Sequence, residues 1–191
     1  MTAAARRLRG APGVPRLVLL SDPARLPDPR AVAARLPRGA AVVARGVAAG
    51  VLPGLARLCR ARGLGLLVSA DGRAALALGA GLHVPDRAAT SGLLPVLLRR
   101  RAWRGVALSC AAHGRAGLVR ARRVRADWVL LSPAFPTASH PGAPALGPLR
   151  WAALARATGR PCVALGGVSA ATARRLPRRW AAGLAAIGAW G

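Results

Sequence analysis

The chain contains no lysine, glutamate, asparagine, glutamine or tyrosine, and only one isoleucine (Ile187) and one phenylalanine (Phe135). Each absence removes a chemistry. Without lysine there is no Schiff-base aldolase, no pyridoxal-phosphate lysine and no P-loop lysine. Without glutamate, a pair of catalytic carboxylates must come from the five aspartates Asp22, Asp28, Asp71, Asp86 and Asp127, which are spread thinly along the chain. Cys59, Cys110 and Cys162 stand apart, with neither CxxC spacing nor a disulfide pattern, and read as small buried residues rather than zinc ligands. No apolar run reaches the roughly 18 residues a membrane helix needs, because Arg or Pro interrupts every candidate. Arg6, Arg7 and Arg9 are basic like the start of a signal peptide, but the apolar stretch that follows, 17–20, is too short for an h-region. The expectation is a soluble, cytoplasmic protein with no membrane partner.

What is abundant is arginine. Thirty Arg against five Asp give a formal charge of +25. Ala, Arg, Gly and Pro have GC-rich codons, whereas the missing Lys, Asn and Tyr have AT-rich ones, so part of the pattern reflects codon composition. The charge attracts polyanions in solution. It does not mark a specific nucleic-acid site, because the arginines are scattered through every helical stretch and no aromatic platform interleaves with them. At 53% hydrophobic residues and 191 positions, the chain supports one sizeable core.

Short apolar runs alternate with Arg-laced helical segments, which is the βαβα pattern of a parallel sheet. Strands are expected at 16–21, 41–44, 65–69, 81–84, 106–109, 128–132, 162–165 and 184–187, and helices at 29–36, 52–62, 73–78, 91–101, 115–124, 149–158 and 170–176. In 149–158, Leu149, Ala153 and Leu154 are expected to face inward and Arg150 and Arg156 outward. Eight strands with seven helices point to an α/β fold of the (β/α)8 TIM-barrel class, short, with its final helix absent or vestigial. A doubly wound open sheet is the alternative. No internal boundary or repeat is visible, so residues 1–191 read as a single domain.

Two strand ends resemble phosphate sites. Ala164-Leu165-Gly166-Gly167-Val168-Ser169 closes a strand with two glycines and opens a helical stretch at the N-cap residue Ser169. The last strand ends Ile187-Gly188. In barrels the loops after strands seven and eight commonly hold phosphate. After the sixth strand comes a Pro- and Gly-rich loop, from Ser132 to Gly147, which is no helix and sits where catalytic loops sit. It offers Thr137, Ser139 and His140 within four residues, two hydroxyls and an imidazole suited to phosphate oxygens.

At this loop the sequence resembles the thiamine phosphate synthase/TenI family. Ala126-Asp127-Trp128 through Gly147 is similar to that family's "GADYV-x-x-GPVFPT-x-(S/T)-(K/H)-P" segment. Gly166-Gly167 and the stretch from Gly183 to Trp190 resemble its glycine pair and final "GVAVISAI" strand, and Leu76 to His83 resembles its "LALAVGADGVH". The resemblance implies a (β/α)8 barrel that couples a hydroxymethylpyrimidine diphosphate to a thiazole phosphate, releasing pyrophosphate with the help of magnesium. It assigns the thiazole phosphate to Thr137, Ser139, Gly167, Ile187 and Gly188, with Gly166 beside them in the substrate-binding set. Arg45 matches the Arg of "VQLREK" and His140 the lysine of "T-x-T-K", which makes these two the catalytic candidates. Magnesium falls to Asp71 and Asp86, and Ser69 and Ser109 complete the substrate-binding set.

The departures fall on the diphosphate half. The lysine of "VQLREK" is Val47. The "NDR" after strand three reads Ser69-Ala70-Asp71, which displaces the acid by one residue. The second acidic position falls near Ala88, with Asp86 the nearest acid. The Ser expected two residues before His113 is Ala111. A sister activity of the family, thiazole tautomerisation, uses a His where this chain has Pro133, so His113 or His140 would have to substitute. Three readings follow: a synthase with a reworked diphosphate site, a barrel that binds thiamine precursors or products without turnover, and a nucleic-acid module resting on charge alone.

Overall fold

The short apolar runs become the staves of a closed barrel. The computed structural model describes residues 1–102, 105–137 and 144–187. Eight strands pair in parallel in chain order: β1 Leu17–Leu20, β2 Ala41–Ala44, β3 Gly65–Ser69, β4 Gly81–Val84, β5 Leu108–Ala112, β6 Trp128–Leu131, β7 Cys162–Ala164 and β8 Ala181–Ala186. Closure is made by β8 against β1, with Leu17 opposite Leu184 and Val18 opposite Ala185. The open-sheet alternative is therefore excluded.

Alternation along each strand explains why the runs are apolar throughout rather than at every second position. Val18, Leu20, Val43, Leu67, Trp128, Leu130, Val163 and Ala185 fill the barrel. Their neighbours Leu17, Leu19, Val42, Val68, Leu82, Leu108, Val129, Leu131 and Leu184 pack outward under the helices. Those helices are α1 Thr2–Arg6, α2 Arg30–Ala33, α3 Leu52–Arg62, α4 Gly72–Ala77, α5 Leu93–Ala102, α6 Arg115–Arg123 and α7 Gly147–Thr158. Pro53 and Pro148 lie in the first turns of α3 and α7, where a missing N–H leaves no bond unmade. None of the helices among the described residues is long and apolar enough to cross a membrane. All three cysteines are buried and free.

Four expectations need correction. β5 runs Leu108–Ala112 instead of 106–109, because Asp127 Oδ2 accepts the Leu108 N–H at 2.7 Å and starts the ladder there, against Leu82 of β4. Ser109 therefore lies inside the strand and not at its end. β8 starts at Ala181, three residues earlier than its apolar content suggested, because small alanines suffice against β7. The stretch 170–176 forms only a 3-10 turn, Thr172–Arg175, between the glycine pair and Pro177. In α7 the buried residues are Trp151, whose indole donates to the Leu131 carbonyl at 3.0 Å, Ala155 and Thr158, while Ala153 is exposed and Leu149 is 86% exposed.

Helix α1 was not anticipated. It has almost no apolar periodicity, and its anchorage comes from far along the chain. Ala5 and Leu8 are buried, and the Arg16 guanidinium donates to the carbonyls of Ala5 at 3.3 Å and Leu8 at 2.9 Å. Such cations at a helix C-terminus satisfy carbonyls that have no partner within the helix.

Candidate binding site at the barrel mouth

The loops after β6 and β7 are tied together by backbone hydrogen bonds. Ala134 N–H donates to the Leu165 carbonyl at 2.8 Å and Phe135 N–H to the Gly166 carbonyl at 3.0 Å. The Ser132–Pro133 peptide is cis. Gly166 and Gly167 adopt φ of +88° and +60°, a region that a side chain strains. A Cβ on Gly167 would come within 2.8 Å of the Phe135 carbonyl oxygen and closer still to that of Pro136. The glycine pair is thus required both by its own backbone and by the loop lying against it. Ser169 and Thr172 close the far side: Ser169 N–H donates to Thr172 Oγ1 at 2.8 Å, Thr172 N–H to Ser169 Oγ at 3.2 Å, and Thr172 Oγ1 to the Gly167 carbonyl at 2.8 Å. This reciprocal cap holds a single 3-10 turn, too short for the helix dipole expected from the sequence. What remains is a glycine turn held against the β6 loop.

The opposite half of the mouth is organised by arginine–aspartate pairs. Asp22, just after β1, is paired with both Arg25 and Arg45. The hydrogen bond from Arg25 is the main reason its carboxyl is lowered to about 2. Arg45 is held through its backbone by Ser21, whose Oγ accepts the Arg45 N–H at 2.6 Å and donates to the Arg45 carbonyl at 2.9 Å. After β4, Asp86 is engaged on every side. Its Oδ1 meets Arg120 of α6, and its Oδ2 accepts the His113 N–H at 3.1 Å and faces His113 Nδ1 at 2.7 Å. Arg120 also donates to the Asp86 carbonyl at 2.6 Å and to the Ala111 carbonyl at 3.1 Å. Burial pushes the Asp86 carboxyl up, but the bonds from His113 and Arg120 outweigh it and hold it below the usual range. The Nε–H groups of Arg45 and Arg120 are buried and lack a partner among the described residues.

Beneath the mouth, β3, β4 and β5 place Ser69, His83 and Ser109 side by side. His83 Nδ1 and Ser109 Oγ are 2.8 Å apart, both residues buried. Burial, reinforced by the nearby Arg45 and Arg120 charges, drives the imidazole down to about 3, so His83 is neutral.

A sequence profile of the thiamine monophosphate synthase family matches residues 49–190, which include every strand from β3 to β8 and both glycine-marked loops. This chain belongs to that family. Among solved structures, thiamine phosphate pyrophosphorylase from Pyrococcus furiosus is similar at a TM-score of 0.70 and 18% identity, over 90% of this chain and 85% of that one. The 2-keto-3-deoxy-6-phosphogluconate aldolase of Zymomonas mobilis, solved with 3-phosphoglycerate, follows at 0.55 and 13% identity, over 97% and 83%. A native KDPGal structure gives 0.55 and 14% identity, over 89% and 80%. At these identities the likenesses show the shared barrel. No curated protein sequence matches the chain.

Against the thiamine monophosphate synthase pattern, the residues separate into groups. Arg45, Ser69, Thr137, Gly166, Gly167 and Ile187 all lie at or just after the C-terminal ends of strands or in the β6 loop. Ser109 lies deeper, against His83. Ser139, His140 and Gly188 fall outside the described residues. The residues present do not fit magnesium. Asp71 is the N-cap of α4, its Oδ1 accepting the N–H groups of Arg73 and Ala74 at 3.0 Å each, and Asp86 is enclosed by Arg120 and His113. Among the described residues no group of three or more His, Cys, Asp or Glu side chains could hold a metal ion. The one-residue displacement of the first acid is thus accompanied by a new role, capping. Sequence reasoning passed over Arg120, because one more arginine in an arginine-rich helix carries no signal. His83 was visible only as part of a resembling segment. A lone polar residue in an apolar strand, at the same register as two serines, was the available sign.

Proposed function

We propose that this member of the thiamine monophosphate synthase family binds a phosphorylated thiazole-type heterocycle of thiamine metabolism at the barrel mouth, in the cytoplasm, without magnesium-dependent turnover. The phosphate would sit on the Gly166–Gly167 turn, with Thr137 and the backbone after β8 at Ile187 beside it. The observation that carries this reading is the locked glycine turn, intact in a mouth whose carboxylates are all engaged by arginines or by a helix cap. Preorganised backbone donors of this kind hold an anion without further rearrangement.

A second reading is favoured by the partnerless Nε–H groups of Arg45 and Arg120. A buried donor without an acceptor costs about 1–3 kcal/mol, which an incoming phosphoryl oxygen would recover. In the coupling reaction the bond from the pyrimidine methylene carbon to the diphosphate oxygen breaks and a bond to the thiazole nitrogen forms. Two guanidiniums would then stabilise the departing pyrophosphate.

Calorimetric titration with the thiazole phosphate, followed by incubation with both phosphorylated precursors, separates the readings. Saturable thiazole-phosphate binding with no thiamine phosphate formed is the expected result. Product formed at a rate proportional to protein concentration establishes the second reading, and absence of thiazole-phosphate binding overturns the first.

A further inference from the structure

At the opposite end of the barrel a cavity of about 310 Å³ lies where α7 ends and β7 and β8 begin. The segment after α1 forms its third wall. Four arginines line it, Arg9, Arg156, Arg160 and Arg179, together with Pro161 and Trp180. Its volume is within the range of small-molecule sites.

The charge in this cavity has no counterweight. None of the four arginines makes an ion pair among the described residues. Every aspartate in the chain is engaged elsewhere: Asp22 with Arg25 and Arg45, Asp28 with Arg30, Asp86 with Arg120 and His113, Asp127 with Arg100, and Asp71 on the N-terminus of α4. The C-terminal end of α7 supplies the equivalent of only about −0.5 charge, against four positive groups. Holding them around one concavity costs repulsion that a multivalent anion removes, and guanidinium pairs with phosphoryl oxygens through short, charge-assisted hydrogen bonds. Trp180, half-buried in the wall with Arg179 5.3 Å from its ring centre, adds an aromatic surface.

We propose that this cavity is a second binding site, separate from the mouth, for a small molecule carrying a diphosphate or longer phosphoryl chain. Inorganic polyphosphate and a nucleotide share that chemistry. The site does not depend on the function assigned to the mouth.

The test is calorimetric titration of the full-length protein with inorganic tripolyphosphate, with pyrophosphate and with ADP in 0.1 M salt. The variants are Arg156→Gln/Arg160→Gln in the cavity, Arg45→Gln in the mouth and Arg122→Gln/Arg123→Gln on the exposed face of α6. The last removes the same charge at a distance. The cavity arginines are exposed or half-buried, and unchanged thermal melting confirms that each variant folds. The cavity variant is expected to lose at least about tenfold in tripolyphosphate affinity, consistent with two lost charge-assisted bonds, while the α6 variant stays within about twofold of the parent. ADP binding more tightly than pyrophosphate identifies the nucleotide form, and equal affinity the inorganic one; both support the site. An equal loss in the α6 variant reduces the binding to net charge and overturns the proposal. A loss confined to Arg45→Gln moves the binding to the mouth and overturns it as well, without touching the thiazole-phosphate reading.

Discussion

The two halves of the barrel mouth are built from different materials. Around β6 and β7 the walls are backbone: glycines at positive φ, carbonyls, and amides that bind one loop to the next. From β1 to β5 the walls are charged side chains, closed into Arg–Asp pairs. Backbone walls survive wide changes of composition, since any residue supplies an N–H. Side-chain walls do not. In a chain without lysine or glutamate, the arginines available at the mouth pair with the few aspartates there, and the carboxylates cease to be available as metal ligands. The glycine turn that resembles the family's is therefore retained where the half that carries the aspartates departs from the family's pattern.

The comparison is broken most directly at Gly167. Substitution by Ala forces a Cβ into the carbonyls of Phe135 and Pro136 at a positive φ, and the expected cost is about 3 kcal/mol, with thiazole-phosphate binding lost. Chemical denaturation and titration read both quantities. A Gly167→Ala protein as stable as the parent would mean that the turn is not held by the β6 loop.

On the other half, Arg120→Ala leaves Asp86 with His113 as its only side-chain partner among the described residues. Removing one member of a buried pair costs 3–5 kcal/mol in a dry site. Here the Arg120 side chain is 32% exposed and that of Asp86 14%, so solvent reduces the expected loss to about 2 kcal/mol. Adding Asp86→Asn should restore most of it, because the uncompensated charge is then gone. No recovery in the double variant would show that Arg120 acts through packing rather than through its charge.

His83 lies between the halves, and its prediction is a slope. Its imidazole is held neutral by burial down to about pH 3, whereas in the unfolded chain it titrates near 6.5. The unfolded state therefore binds a proton that the folded state does not. Stability is complete above about pH 6.5 and falls as the pH drops toward 3, with a slope of about 1.4 kcal/mol per pH unit from this residue. In His83→Gln, denaturation between pH 6.5 and 4.5 should lose that slope, whatever the variant's baseline stability. Asp22, with its carboxyl at about 2, contributes stability that is lost only below about pH 4, so it leaves the interval from pH 6.5 to 4.5 to His83.

How much of this was legible in the sequence follows from the same physics. Strand β2, strand β3 and helix α3 matched their expected bounds because apolar runs and Arg-rich faces are local signals. The glycine pair was legible because few residues tolerate its backbone. The errors came from partners distant in sequence. Leu149 was expected to be buried by spacing, but Trp151 reaches the Leu131 carbonyl and turns the helix so that Leu149 faces solvent. Helix α1 depends on Arg16, ten positions after the helix ends. Asp71 and Asp86 could be placed at strand ends from the sequence. Their engagement by an N-terminal turn and by Arg120, 34 positions beyond Asp86, required the fold.

The smallest expected effect is that of magnesium. The half of the mouth read as the phosphate site is backbone and hydroxyl, and the half that would hold a metal offers Asp71 as a helix cap and Asp86 inside an arginine pair. A divalent ion would have to displace Arg120, at a cost comparable to that of removing it, before gaining a ligand. Adding several millimolar magnesium, or removing it with EDTA, should change thiazole-phosphate affinity by less than about twofold and leave the melting temperature unchanged. A tenfold gain would require that Asp86 leave Arg120 when ligand arrives, and the two halves would then be coupled rather than independent. In that case Arg120→Ala, which already frees the carboxylate, should bind magnesium more tightly than the parent, and the same titration would detect it.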